Sequence, residues 1–149
     1  MKLAAGILLF LLCGLAGEQK SRRLSRRAGT LAALETLIRQ IGDRQLNELV
    51  SFEEGVRSCP PSPERDYLLS LVRGQAAGPA LLAPEEEERL RTYARRDSRG
   101  TADLFQARDS LLDLFSKAAQ DAQREQRQKG QVYRSVGYLA GMAVLLLVL

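Results

Sequence analysis

The sequence predicts an all-α chain: a helical-bundle soluble domain flanked by N- and C-terminal transmembrane helices. Three observations predict it. All 18 acidic residues, and every basic residue except Lys2, lie between Glu18 and Arg134, so two uncharged ends enclose a polar centre. Within that centre, apolar residues recur at 3-to-4 spacing, the period of a helix with one buried face. No alternating run of β-branched residues exists, and Leu dominates over Val and Ile, so no strand is expected. The expected domains are an anchor over residues 1–17, a helical domain over 22–124 and a second anchor over 132–149.

The first apolar run, residues 3–17, reads LAAGILLFLLCGLAG, and the last, residues 135–149, reads SVGYLAGMAVLLLVL. Each has 15 uncharged residues, short of the roughly 20 of a full bilayer span. With its flank the second grows to 18 residues, or about 27 Å of helix, near the hydrocarbon thickness. Gly137 and Gly141 stand four apart, the small-xxx-small spacing of helix packing in membranes. A cleaved signal peptide is the alternative for the first run, with Gly14 and Ala16 before the cut. Against it stand Lys20, Arg22, Arg23, Arg26 and Arg27 just past the run, a cluster of the kind retained on the cytoplasmic side. Arg124, Arg127, Lys129 and Arg134 precede the second run. Both flanks therefore predict a cytoplasmic centre with the two ends outside.

In the centre, Leu24, Ala28, Leu31, Leu34, Ile38 and Ile41 mark an amphipathic helix, with Gly42-Asp43 as its stop signal. A short second helix fits Arg44–Val56, using Leu46, Leu49, Val50 and Phe52. The run SCPPSP at 58–63 breaks the chain, and Ser62-Pro63 reads as an N-cap followed by Pro at the first helical position. The third helix covers about Glu64–Arg73 with Tyr67, Leu68, Leu71 and Val72 inward. A small-residue linker, 74–84, leads to a fourth helix opened by Pro84, whose four acids Glu85–Glu88 suit the positive end of the helix dipole. Ser98 or Thr101 caps a fifth, with core face Leu104, Ala107, Leu111, Leu114, Phe115, Ala118 and Ala122. From Gln123 to Arg134 the apolar stripe is lost, and an unpacked helical stretch is expected.

Several function classes fall to composition. The chain has no His and no Trp, which excludes imidazole catalysis and His-containing metal sites. Its two cysteines, Cys13 and Cys59, cannot make a four-thiolate zinc site. No phosphate-cradling glycine loop appears, and a net charge of +4 does not demand nucleic acid. No cofactor, metal site, catalytic residue or small-molecule substrate is expected. The carboxylates that an enzyme reading could use are Asp103, Asp109 and Asp113; the plainer reading is a solvated helix face.

Three stretches resemble the stage III sporulation protein AB family of endospore-forming bacteria. The first is GILLFLLCGLAGEQKSRRLSRRAGTLAALETLIRQI, an anchor, a basic patch and a helix carrying Leu31, Leu34, Glu35 and Ile38. The second, GTADLFQARDSLL, resembles the family's G-x-x-D-x-x-x-Q signature through Gly100, Asp103 and Gln106, with Gln106 one place early. The third is YRSVGYLAGMAVLLLVL, with Tyr133, Gly137 and Gly141. The resemblance implies a non-enzymatic platform in the mother-cell membrane around the forespore. There it would serve a secretion-like channel complex, and its domain would be similar to the cytoplasmic domains of type II secretion platforms. Implied partners are other stage III sporulation proteins, including a secretion-type ATPase, together with membrane lipids. The alternative is a generic membrane-anchored cell-envelope protein with a lipid-binding basic patch.

Overall fold

The computed structural model describes residues 2–75, 81–96 and 101–148. Among them are six α-helices, one π-helical segment and no strand. The helices are α1 (Lys2–Glu48), α2 (Phe52–Arg57), α3 (Pro63–Val72), α4 (Pro84–Ala94), α5 (Thr101–Glu125) and α6 (Gln131–Val148), with the π segment at Gln126–Gly130. No helix among the described residues is long and apolar enough to cross a membrane. The chain divides into two compact units. Gly29–Ala119 forms one, and Met1–Ala28 with Gln120–Leu149 forms the other.

The Gly29–Ala119 unit is a helical bundle with one apolar core. Leu31, Leu34, Ile38 and Ile41 of α1 are fully buried, as are Val56 of α2, Leu68 and Leu71 of α3, Leu90 of α4 and Phe115 of α5. These are the positions that the 3-to-4 spacing places on the inward faces. Phe52 and Tyr93 close one side of the core edge to face, with ring centroids 5.6 Å apart.

Caps set the short helices. The Ser62 hydroxyl accepts from the Arg65 backbone N–H at 3.1 Å, and Pro63 occupies the first turn, as the sequence predicts. Ser51 caps α2 in the same way through Glu54. At α4 the Glu86 carboxylate turns back to accept from the Ala83 N–H at 2.9 Å. Glu86 is buried inside an acidic run whose neighbours Glu85 and Glu87 form the i,i+4 pairs Glu85–Arg89 and Glu87–Arg91. The expected caps of α5 lie outside the description: Ser98 is not among the described residues, nor is the side chain of Thr101.

Two expectations are corrected. Gly42 does not stop the first helix, and no separate helix begins at Arg44; α1 continues to Glu48. Gly42 is buried because a side chain passes over it: a Cβ there would meet Arg108 Cδ at 2.6 Å. The chain turns instead at Leu49, whose φ of 55° is left-handed and whose side chain is 78% exposed. Leu49 is thus a C-terminal helix stop rather than a core residue. The stretch from Gln123 to Arg134 is also not wholly unpacked, because Gly130 within it is buried against Ser21.

The face of α5 is tested by contrast. Leu111 is 3% exposed, whereas Asp109 faces solvent. Leu111→Ala should destabilise the chain by about 2–5 kcal/mol, because it removes transfer energy and leaves a cavity. Asp109→Asn should cost under about 0.5 kcal/mol. Thermal unfolding in detergent followed by circular dichroism measures both, and equal costs would refute the assigned face.

Candidate functional site

In the unit formed by Met1–Ala28 and Gln120–Leu149, α1 and α6 run antiparallel in close contact. A Cβ on Gly17 would sit 2.7 Å from the Tyr133 carbonyl oxygen, and one on Gly137 would sit 3.0 Å from the Cys13 carbonyl oxygen. Gly141 lies against Phe10, and Gly14 against Tyr138. The Phe10 and Tyr138 rings pack at 6.3 Å. The backbones approach because no side chain stands between them, the mode of association that small residues permit. Gly137 and Gly141 are on this seam, as their spacing predicts. Their partners Gly14 and Gly17 are not marked as packing positions by the sequence reading, although GLAG carries them three apart, about one helical turn.

The outer faces of the same pair are apolar. Leu8 and Leu15 of α1 are each 61% exposed, and Leu139 and Leu146 of α6 are 62% and 73% exposed. Past the seam the basic flanks meet. Lys20 lies over the Tyr133 ring at 4.5 Å, and a Cβ on Gly130 would be 3.2 Å from Ser21 Oγ. Arg27 acts on the charge of Glu125. Residues 20–27 therefore lie beside 124–134, and two clusters about a hundred positions apart share one end of the pair. Lys20, Arg22, Arg23, Arg26, Arg127, Lys129 and Arg134 are all exposed, while Arg27 is half-buried.

The π segment decides which residues point outward here. Seven residues beyond Ala122, an uninterrupted α-helix would return Lys129 to the buried side. One added residue in the π turn brings Gly130 there instead. Lys129 is left exposed and pairs with Glu125 at 2.9 Å. The hydrogen bond between them holds the Glu125 carboxyl below its ordinary range and the Lys129 ammonium above its own.

The remaining signature residues belong to the Gly29–Ala119 unit. Leu34 is core, and Glu35 pairs with Arg39 on the surface. Gly100 is outside the described residues. Asp103 and Gln106 are exposed on α5, where Gln106, Phe105, Asp109 and Asp113 line an open depression. A groove of about 380 Å³ adjoins it between α4 and α5, floored by Tyr93, Ala107 and Leu111. Among the described residues no three His, Cys, Asp or Glu side chains gather to hold a metal ion.

Two tertiary polar contacts escaped the sequence reading. The Arg108 guanidinium reaches Asp43 across 65 positions. The Tyr93 hydroxyl donates to Gln45 Oε1 at 3.0 Å in the core. Nothing in local spacing marks Gln45 or Arg108, since each is recognised only by its distant partner. Cys59 is buried and donates its thiol to the Gly55 carbonyl, and burial raises its pKa. It is a packing thiol rather than a nucleophile. In comparisons with protein-family models, curated proteins and solved structures, nothing matches this chain.

The seam predicts opposite responses from two glycines. Gly17→Ala places a methyl against backbone that no rotamer change can relieve. It should lower the melting temperature of the full chain in detergent. Gly29 has nothing within 4 Å of its Cβ position. Gly29→Ala should therefore stabilise by up to about 1 kcal/mol, through helix propensity. If both variants melt alike, the seam does not hold the pair.

The tyrosines predict a pH response. Burial, with a smaller contribution from the Glu87 charge, pushes Tyr67 up to about 12, and burial raises Tyr93 as well. A phenol whose folded pKa exceeds its unfolded one favours folding below the unfolded value, near 10. That contribution is lost as pH rises through 10 toward 12. In an ultraviolet phenolate titration of the folded chain, Tyr67 and Tyr93 should therefore ionise last. Tyr67→Phe should flatten the alkaline loss of stability.

Proposed function

We propose that this chain is a non-enzymatic membrane platform, anchored by the α1–α6 pair, that presents the Gly29–Ala119 bundle at the cytoplasmic surface for assembly. The observation that carries the reading is the glycine-packed pair itself. Its inward faces are spent on each other, and its outward faces are leucine-rich and uncovered. An uncovered apolar surface of this extent in water is an aggregation hazard, whereas a bilayer is its natural solvent. Each apolar run is short for a complete span. Short spans are accommodated by local thinning of the bilayer and by flanking Arg and Lys side chains that reach back to the interface. The basic end of the pair then marks the cytoplasmic side.

The resemblance to stage III sporulation protein AB narrows this role. On that reading the bundle serves the mother cell–forespore channel complex in the mother-cell membrane and engages a secretion-type ATPase. The bundle supplies helical faces rather than a reaction centre. The open α4–α5 groove and the exposed Phe105 beside it are the surfaces suited to a partner helix. A generic envelope protein that holds lipid through its basic residues is the second reading, favoured by the exposure of those cations.

A reporter placed after Arg57 should behave as cytoplasmic, with alkaline phosphatase inactive there. The tagged chain should resist alkaline extraction from membranes and co-isolate with the other channel components from sporulating cells. Active phosphatase would overturn the topology. Recovery of abundant membrane proteins alone would overturn the platform role.

A further inference from the structure

We infer that the outer face of α5 around Phe105 is the docking site for a cationic amphipathic helix of another protein. The inference rests on the platform reading above and supplies the chemistry of its partner. Among the described residues of the Gly29–Ala119 unit, Leu49 and Phe105 are the only exposed large hydrophobic side chains. Leu49 points outward because the chain turns there. Nothing in the fold asks the same of Phe105, which stands in the second turn of α5 and is 50% exposed.

Phe105 is also held in place. The Arg108 guanidinium lies over its ring at 5.9 Å from the centroid. The Arg108 side chain is itself only 12% exposed and is pinned to Asp43. A ring fixed before binding loses little freedom when it is covered, which suits it to anchor an interface.

Charge selects the partner. Asp109 and Asp113 follow Phe105 at i+4 and i+8, so the three form one row along the helix. They line a single open depression together with Gln106 and Ser110, and no cation lines it. Neither aspartate has an ion-pair partner among the described residues. Lys117, one turn beyond Asp113, is exposed and ends the row. In the Gly29–Ala119 unit as a whole acids outnumber bases, although the chain carries a net charge of +4. Such a face repels anionic lipid and nucleic acid. A helix that presents Lys or Arg beside an apolar residue is complementary to it in both respects. A second copy of this chain fits less well, because no large hydrophobic side chain is exposed between Lys20 and Arg27 of its basic stretch.

The test uses the full chain in phosphatidylcholine nanodiscs, titrated with labelled helical peptides of about five turns and read by fluorescence anisotropy against empty discs. One peptide carries a Leu face flanked by Lys, a second replaces each Lys by Glu, and a third scrambles the first. The Leu/Lys helix should bind, more weakly as salt rises, and the other two should not. Phe105→Ser should weaken binding by about tenfold. The double variant Asp109→Asn, Asp113→Asn should weaken it by at least about threefold, since each exposed ion pair contributes modestly. The control Glu48→Gln, Asp66→Asn makes the same charge change at exposed positions elsewhere and should leave binding unchanged. Circular dichroism should show all variants folded. Absence of Leu/Lys binding overturns the inference, as does equal binding of the Glu peptide or equal loss in the control. Competition by an unlabelled second copy as strong as by unlabelled peptide also overturns it, by making the occupant another copy of this chain. Failure of the anchored reading looks different. The chain would then elute apart from the discs, and the same titration on the free chain would still judge the α5 face.

Discussion

The approach of two helix backbones at Gly17 and Gly137 is the constraint on which the candidate site depends. A Cβ on Gly17 would stand 3.5 Å from the Gly137 Cα. That contact sets the rotation of both helices about their axes. With rotation set, the leucines of each run turn away from the partner, and the lysines and arginines of both flanks come to one end. Neither outcome needs a strong pairwise attraction. Dispersion across a close, side-chain-free surface suffices where the surroundings are as apolar as the helices themselves.

The bundle is organised differently. Its core is apolar and contributed by five helices, and its polar contacts tie distant parts of the chain together. The Gln45–Tyr93 hydrogen bond satisfies a buried amide oxygen and a buried phenol at once. Leaving either alone would cost about 1–3 kcal/mol. The i,i+4 ion pairs on the helix surfaces contribute little by comparison. Specificity of the bundle therefore rests on core shape and the buried Gln45–Tyr93 pair.

Much of this was legible in the sequence, for identifiable reasons. Helix class and inward faces follow from periodicity, so Leu31, Leu34, Ile38, Leu68, Leu111 and Phe115 are buried as the spacing requires. Ser62-Pro63 carries a start signal with a local mechanism, and the structure uses it. The end of α1 was not legible. Glycine both ends helices and lets a neighbour come close, and at Gly42 the neighbour is Arg108, 66 positions away. The chain turns at Leu49, a residue type that rarely takes positive φ. In the candidate site the two basic flanks were visible as separate runs. Their union was not, because it depends on the seam, and half of the seam is the pair Gly14 and Gly17 within an ordinary apolar run.

The π segment imposes a constraint of another kind. Gln126, Arg127 and Gln128 expose or half-expose their side chains, so many residue types would fit there. Their number is what matters, since it sets whether Gly130 or Lys129 meets α1. Selection on such a stretch acts on length rather than composition. Substitutions should be tolerated at Gln126 and Gln128, while single-residue insertions and deletions should not be. A stretch of this kind looks unconserved when related chains are compared residue by residue, and its importance is visible only in the spacing between its neighbours.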